Sequence, residues 1–313
     1  MRWPLIRLLP REFHFNFVGL APYAAVLSAI LIVLTGVSFF TKGMNFGIDF
    51  VGGTQIEVQT KGPAPISPLR AAIASVGGED VQVQSLGTPD SAMLRFRPPA
   101  NIDTVKITET VRSKLVQTFP GIQVKQIYSV GAKVSGELVQ SGFLALGVAM
   151  ALMLAYIWFR FQLQFGLGAV VAVVHDVLLT LGLLSVTHLE FSMTSIAALL
   201  TVIGYSMNEK VITFDRLREN LRKYKTTPLA EVINRSENER LSRTIITGST
   251  AILALSGALF MGGPLFPLVF TMVFGIVIGT YSSIYVALPI ILLWGVKRGD
   301  EDAQPLKPAN VRP

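Results

Sequence analysis

The stretch FSMTSIAALLTVIGYSMNEKVITF, residues 191–214, decides the class of fold because it is a long apolar run that holds an ionisable pair. At 1.5 Å per residue, a helix over this run is long enough to cross the ~30 Å hydrocarbon core of a bilayer. An ionised side chain at the bilayer centre costs roughly 2.5–3.5 kcal/mol, so a carboxylate kept there usually faces a partner or a water path. Glu209 is therefore predicted to act in transport.

The rest of the chain has the same apolar character. Its mean hydropathy is +0.53, with 51% hydrophobic and 15% charged residues. Soluble domains carry about 25% charged residues, so the balance indicates a polytopic membrane protein. The sequence predicts six transmembrane helices, at residues 18–40, 138–159, 163–186, 191–214, 244–260 and 268–294.

The distribution of Lys and Arg predicts the orientation, because short cytoplasmic loops hold the excess of positive charge. Three lie in residues 1–17, eight in 215–243 and four in 295–313, whereas the short loops around His188 and Gly263 hold none. Both termini and the 215–243 loop are therefore predicted to be cytoplasmic. Residues 41–137 are predicted to lie on the outer side.

Composition also excludes several classes of function. The net charge of +7 is interpreted as a topology signal and an attraction to anionic membrane lipids, since no basic and aromatic face indicates nucleic-acid binding. The chain has no cysteine, and its histidines are too scattered to form a cluster: His14, His175 and His188. We therefore predict no metal centre. We also expect no cofactor and no enzymatic activity.

The outer segment, 41–137, has the alternating pattern of a domain. Strands are predicted at 54–59, 81–86, 92–97 and 122–128, and helices at 67–76 and 102–118. This β-α-β-β-α-β order predicts a ferredoxin-like α+β domain, with two helices on one face of a four-stranded sheet. No paired nucleophile and base and no phosphate-binding loop occur in it, so we interpret it as a binding or lever domain.

Glu209 is placed toward the cytoplasmic third of its span, where Arg243 opens the next span from the same side. An ion pair between them is one hypothesis; a purely structural pair, or an interfacial arginine that extends to the headgroups, is the alternative. Asn208 is expected to supply a neutral hydrogen bond. Lys210, ~100° further round the helix, is expected to extend to the cytoplasmic headgroups.

The third span carries a second ionisable pair, His175 and Asp176, near mid-membrane. Asp176 is a further candidate for a proton relay with His175 in support, and the alternative is a structural hydrogen bond between helices. In the last span, Gly275, Gly279 and Ser283 form a stripe of small residues that predicts close helix packing.

Six segments in order resemble the SecD/SecF family of protein-export membrane proteins, within the resistance-nodulation-division superfamily, and match its SecF branch. They are FGIDFVGGTQIEV (46–58), VGAKVSGELVQSG (130–142), VHDVLLTLG (174–182), IGYSMNEKVITFDRLREN (203–220), SRT (242–244) and FGIVIGTYSSIYVA (274–287). The resemblance implies a bacterial inner-membrane subunit with its outer domain in the periplasm. It implies SecD and SecYEG as partners, with YajC and YidC nearby, and an unfolded preprotein as substrate.

In that family the proton gradient drives late export, and a carboxylate and the arginine of the SRT segment are implicated in proton conduction. Glu209 and Arg243 occupy these positions, although the family usually has aspartate where this chain has glutamate. Two alternatives remain open: a proton-coupled half-exporter of small molecules or lipids, and a scaffold that does not transport. An intramembrane hydrolase lacks a buried nucleophile with a base. A neutral substitution of Glu209 separates a scaffold from a proton-driven subunit.

Overall fold

The computed structural model describes residues 13–99, 102–161 and 163–296, so most of the predicted cytoplasmic ends lies outside it. In chain order the elements are α1 (Phe17–Lys42), α2 (Ile48–Val51), β1 (Gly53–Gln59), α3 (Ile66–Ala74), β2 (Glu79–Leu86), β3 (Thr88–Arg97), α4 (Thr104–Thr118), β4 (Gln123–Val130), α5 (Ala132–Arg160), α6 (Leu163–Thr187), α7 (Met193–Lys223), α8 (Leu229–Met261), α9 (Phe266–Ser282) and α10 (Leu288–Trp294). A π-helical segment, Ser283–Ala287, joins α9 to α10. The chain is mostly helical with one small sheet.

Within the described residues, five helices are long and apolar enough to cross a membrane: α1, α5, α6, α8 and the continuous run Phe266–Trp294. The remaining predicted span, 191–214, is also helical, as α7, which has 31 residues. Its composition is less apolar because Glu209 and Lys210 lie within it and its last turns are charged. This helix packs against α5, α6, α8 and α9, so it occupies the middle of the bundle.

Small residues set the closest helix contacts. A Cβ added at Gly275 would collide with the Val202 side chain, and one added at Gly279 would lie 3.0 Å from the Ser206 Cβ. Both glycines therefore let α9 approach α7 closely. The third residue of the predicted stripe, Ser283, has a different role, because its hydroxyl accepts a hydrogen bond from α8.

The four strands form one antiparallel sheet in the order β2-β3-β1-β4. Alternate residues of β1 and β3 face α3 and α4, which cover one side of the sheet and bury Ile56, Val58, Leu94 and Phe96. The observed element order, β1-α3-β2-β3-α4-β4, is the order that the alternation of apolar residues predicts.

The sheet is joined to the bundle through the loop between α6 and α7. Phe191 accepts a hydrogen bond from the Gly47 amide at 2.8 Å and donates its own amide to the Asn45 carbonyl at 2.8 Å. An ion pair between Arg95 of β3 and Glu190 lies beside this backbone contact. The α6–α7 loop therefore contacts the α+β domain directly, and we call this contact the outer junction because residues 41–137 are predicted to lie on the outer side.

The predicted 215–243 loop is mostly helix, because α7 continues to Lys223 and α8 begins at Leu229. Buried Leu217 and Val232 give these helix ends an apolar inner face. Their outer faces are charged, and Arg216 pairs with Glu239 at 2.8 Å across the two helices. Hydropathy alone does not detect these helical extensions at residues 215–223 and 229–243, because it averages over the apolar and charged faces.

Candidate functional site

The first buried polar cluster lies where α6, α7 and α9 meet. The Lys210 ammonium donates to Asp176 Oδ2 at 2.9 Å and to Ser282 Oγ at 3.0 Å. Ser282 also donates to Asp176 Oδ2 at 2.7 Å, and Ser206 contacts both charged groups. The side chains of Lys210 and Asp176 are 0% and 1% exposed. This is a desolvated ion pair with hydroxyl groups around it.

His175 extends this cluster toward α1. Its Nδ1 lies 3.0 Å from Asp176 Oδ1, and its Nε2 lies 3.1 Å from Ser28 Oγ. Ser28 in turn lies 2.9 Å from the Tyr281 hydroxyl, which donates to the Ala24 carbonyl at 2.7 Å. Both predicted residues of α6 therefore belong to one hydrogen-bonded chain, which is a geometry that can pass protons between neighbouring groups.

The second cluster is centred on Arg240 of α8. Its Nε donates to both carboxylate oxygens of Glu237 at 2.9 Å, and its guanidinium also reaches Glu209 Oε2 at 3.4 Å. Thr244 Oγ1 accepts from Arg240 at 2.7 Å and lies 3.3 Å from Glu209 Oε2, while Ser283 Oγ accepts from Arg240 at 3.1 Å. Glu209, Glu237 and Arg240 are all nearly fully buried.

The structure does not bring Arg243 and Glu209 together. Arg243 lies on the exposed face of α8, three residues after Arg240, and Arg240 contacts Glu209 instead. Arg240 and Thr244, four residues apart, form the face of α8 that meets Glu209, and Arg243 lies at the exposed edge of that face. The predicted pairing of Glu209 with Arg243 is therefore replaced by one with Arg240.

The two neighbours of Glu209 in the tripeptide Asn208-Glu209-Lys210 lie in different surroundings. Lys210 does not extend to the headgroups, because α6 and α9 enclose the face of α7 on which it lies. Asn208 lies on the exposed face of α7. The tripeptide therefore directs three successive side chains to three different surroundings.

The two clusters are adjacent through pairs of consecutive residues. Glu209 and Lys210 follow each other on α7, and Ser282 and Ser283 follow each other at the end of α9. A helical step of ~100° sends one member of each pair to the Asp176 cluster and the other to the Arg240 cluster. Ser283 begins the π-helical segment, a local widening that is frequent at functional sites.

Lys210, Glu237 and Arg240 were not among the residues predicted from the sequence. A signal for two of them exists, because the buried positions of α8 recur at helical spacing: Val232, Ile233, Ser236, Glu237, Arg240 and Thr244. Glu237 and Arg240 stand three apart on that face, as an ion pair along a helix does. Among the described residues, no group of three potential ligands could hold a metal ion.

At the outer junction, Glu190 is electrostatically unusual. Burial raises the pKa of its carboxyl group and nearby Asp49 raises it further, whereas the Arg95 guanidinium opposes both effects. The neighbouring Tyr128 hydroxyl donates to Asp49 at 3.4 Å, and burial together with the Asp49 charge raises the pKa of this tyrosine. The ionisation of Glu190 at this junction therefore depends on its burial as well as on its pairing with Arg95.

The fold and these clusters define a class: a multi-pass helical membrane protein with ion pairs in its bundle and a small α+β domain. A family model described as protein export membrane protein SecD/SecF, C-terminal, matches residues 110–297, and the SecD/SecF GG motif matches residues 37–64. The chain belongs to the SecD/SecF family of protein-export membrane proteins, which confirms the resemblance.

Relatives match along most of their length. Protein translocase subunit SecF of Cereibacter sphaeroides is 43% identical over 303 residues, 94% of each chain. The subunit of that name from Magnetococcus marinus is 44% identical over 285 residues, 90% of this chain and 92% of its own. The crystal structure of SecDF, a translocon-associated membrane protein from Thermus thermophilus, superposes with a TM-score of 0.83 at 32% identity. That match covers 94% of this chain and 40% of the SecDF chain.

Proposed function

We propose that the chain is a SecF-type subunit of the protein translocase, which works with a SecD-type half and uses the proton gradient to assist late preprotein export. The observation that carries the proton-driven part is the buried Glu209, which shares its cation with a second carboxylate inside the bundle. The relatives named protein translocase subunit SecF support the export role. The chain spans 40% of the SecDF chain, which supports the need for a second half.

We further propose that α7 is a sixth membrane-spanning helix and that residues 41–137 form a ferredoxin-like domain in the periplasm. The central position of α7 among apolar helices supports its crossing, because a buried helix does not need a fully apolar surface. The sheet order and the two helices on one face support the domain assignment. The Lys and Arg bias supports cytoplasmic termini. The resemblance to SecF subunits supports an inner-membrane location.

Glu209 is the proposed proton carrier, and Asp176 is a second relay residue. A charge that crosses ~100 mV releases about 2.3 kcal/mol, which biases a two-state movement by roughly fiftyfold. The backbone contact between Phe191 and Gly47 offers a direct mechanical route from α7 to the outer domain. In this proposal, protonation inside the bundle is coupled to movement outside it.

A polar face of α8 supports a SecD-type partner. Arg243, Thr247, Thr250 and Gly257 recur at helical spacing, and none of the four is buried by the described part of the chain. Lipid covers polar side chains poorly, whereas small and polar residues favour contact with another helix. Arg243 is proposed to act at this interface. Contacts with SecYEG, YajC, YidC and preprotein remain expectations of the resemblance.

Export into inner-membrane vesicles tests the function. Vesicles that contain the chain and its SecD-type partner should export preprotein faster when a proton gradient is applied. Vesicles with the partner but without this chain should lose that increment. An equal increment in both preparations would contradict the proposed function.

Photo-crosslinking tests the partner face, because a chain without cysteine allows labelling at one introduced site. Thr250→Cys, labelled with a benzophenone maleimide, should crosslink to the SecD-type partner. Val33→Cys on α1, with Val33 63% exposed, is the matched control and should not crosslink. Crosslinking from Val33→Cys and not from Thr250→Cys would place the partner elsewhere.

A further inference from the structure

Glu237 is a buried carboxylate outside the segments that carry the family resemblance. It lies on α8, with 1% of its side chain exposed, and Arg240 is its partner one turn later. Arg240 also reaches Glu209 of α7 and Ser283 of the π-helical segment, so the pair lies against the interior of the bundle. A carboxylate in this position needs an explanation.

Arg240 makes closer contacts with one carboxylate than with the other. It reaches Glu237 through three contacts of 2.7–2.9 Å, from both Nε and the terminal nitrogen. It reaches Glu209 through one contact of 3.4 Å. Short, forked hydrogen bonds between guanidinium and carboxylate are the strong ones, so Glu237 holds most of this cation.

The charges around the pair do not balance when every group is ionised. The titratable groups that face the two clusters are His175 and Asp176 of α6, Tyr205, Glu209 and Lys210 of α7, Glu237 and Arg240 of α8, and Tyr281 and Tyr285 of the last span. Lys210 is committed to Asp176 at 2.9 Å. Among these described residues, two carboxylates therefore share the single cation of Arg240.

An uncompensated charge in the interior is costly, and binding one proton removes it. Of the two carboxylates, Glu209 has the longer contact with the Arg240 cation, 3.4 Å against 2.7 Å for Glu237. The Thr244 hydroxyl, 3.3 Å from Glu209 Oε2, is placed to hydrogen-bond either form of the carboxyl.

We propose that Glu237 is a positioning residue of the proton site: it holds Arg240 in a fixed ion pair and thereby leaves Glu209 to bind one exchangeable proton. This inference rests on the proposed proton-driven function and deepens it by assigning one proton to the Glu209, Arg240 and Glu237 group. The step is the uptake of one proton by the Glu209 carboxylate, with no other bond changed.

Infrared difference spectroscopy of the complex with the SecD-type partner tests the proposal through the carbonyl stretch of protonated buried carboxyls. The wild type should show a titrating band that Glu209→Gln removes. Glu237→Gln should keep the band and move its midpoint to lower pH by about one unit or more, because Arg240 is then free to pair with Glu209. Glu237→Asp should restore a midpoint near that of the wild type.

A double variant separates positioning from general structure. Glu237→Gln combined with Arg240→Gln removes the carboxylate and the cation together, so the midpoint should return to that of the wild type or above it. Glu231→Gln, at an exposed position of the same helix, is the control and should leave the band unchanged. Loss of the band in Glu237→Gln with its retention in Glu209→Gln would overturn the proposal, and so would an unchanged midpoint.

The same samples separate this inference from the proposed function. If vesicle export does not respond to the gradient while the band shifts as predicted, the export mechanism is wrong and the proton site stands. If export responds to the gradient and Glu237→Gln leaves the midpoint unchanged, the function stands and the role of Glu237 is refuted.

Discussion

Asp176 and Lys210 form an ion pair across α6 and α7, with 2.9 Å between Oδ2 and Nζ and almost no exposure of either side chain. The pair balances its own charge within the bundle. Arg240 and Glu237 form a second close pair within α8. Glu209 belongs to neither close pair. Its contact with a cation is the 3.4 Å contact with Arg240.

Lys210→Met should destabilise the chain strongly, because it leaves the Asp176 carboxylate buried without its cation. Loss of one partner of a buried pair costs about 3–5 kcal/mol in the free energy of unfolding. Asp176→Asn together with Lys210→Met should cost less than Lys210→Met alone. Thermal unfolding of the purified protein in detergent measures both, and a double variant less stable than the single one would contradict the pairing.

Arg240 and Arg243 should behave differently although they are three residues apart. Arg240→Gln should reduce the free energy of unfolding by about 3–5 kcal/mol, because Glu237 loses its partner in the interior. Arg243→Gln should change the stability of the isolated chain by about 0.5 kcal/mol or less, since Arg243 is exposed there. Equal losses in both variants would show that Arg243 faces the interior.

Gly275→Ala should force α7 and α9 apart, because a methyl group at this position collides with Val202. Overpacking of this kind costs about 1–3 kcal/mol. Gly147→Ala on α5 is the control: nothing lies near its Cβ position, so it should gain up to about 1 kcal/mol from helix propensity. Unfolding of the two variants in parallel checks the difference, and equal stability would refute the close packing.

The general architecture could be predicted from the sequence because it depends on periodicity. Alternation over Gly53–Gln59 predicts a strand, and a long apolar run such as Leu163–Thr187 predicts a buried helix, whatever lies beside them. The surroundings of single side chains depend on which helices pack on each face. Lys210 was expected at the headgroups because one face of α7 was taken as the interior, whereas α6, α8 and α9 enclose several faces.

The predicted pairing of Glu209 with Arg243 was wrong for a related reason. The SRT segment directed attention to Arg243, but the rotation of α8 is fixed by its buried residues from Val232 to Thr244. That face includes Arg240 and excludes Arg243. Hydropathy did not detect this face because charged residues such as Glu239 lie between its positions along the helix and lower the average hydropathy.

The outer junction should respond to pH through Glu190. Its pKa is raised above the ordinary value of 4.5, so the folded state binds this proton more tightly than the unfolded state. Stability from the protonated carboxyl is therefore present at low pH and declines as pH rises from 4.5 through the raised pKa. Relative to Glu190→Gln, the wild type should lose stability over this window, as measured by unfolding at a series of pH values. An opposite slope would show that Arg95 dominates.

Glu209→Gln in the vesicle export assay tests the central claim most directly, because glutamine keeps the size and hydrogen bonding of the residue but cannot ionise. With equal amounts of assembled complex, we predict that Glu209→Gln abolishes the increase in preprotein export caused by the proton gradient. Glu209→Asp should keep part of it, and the exposed Glu231→Gln should keep all of it. Export by Glu209→Gln with a normal response to the gradient would contradict the account, and Asp176 would then be the next carboxylate to test.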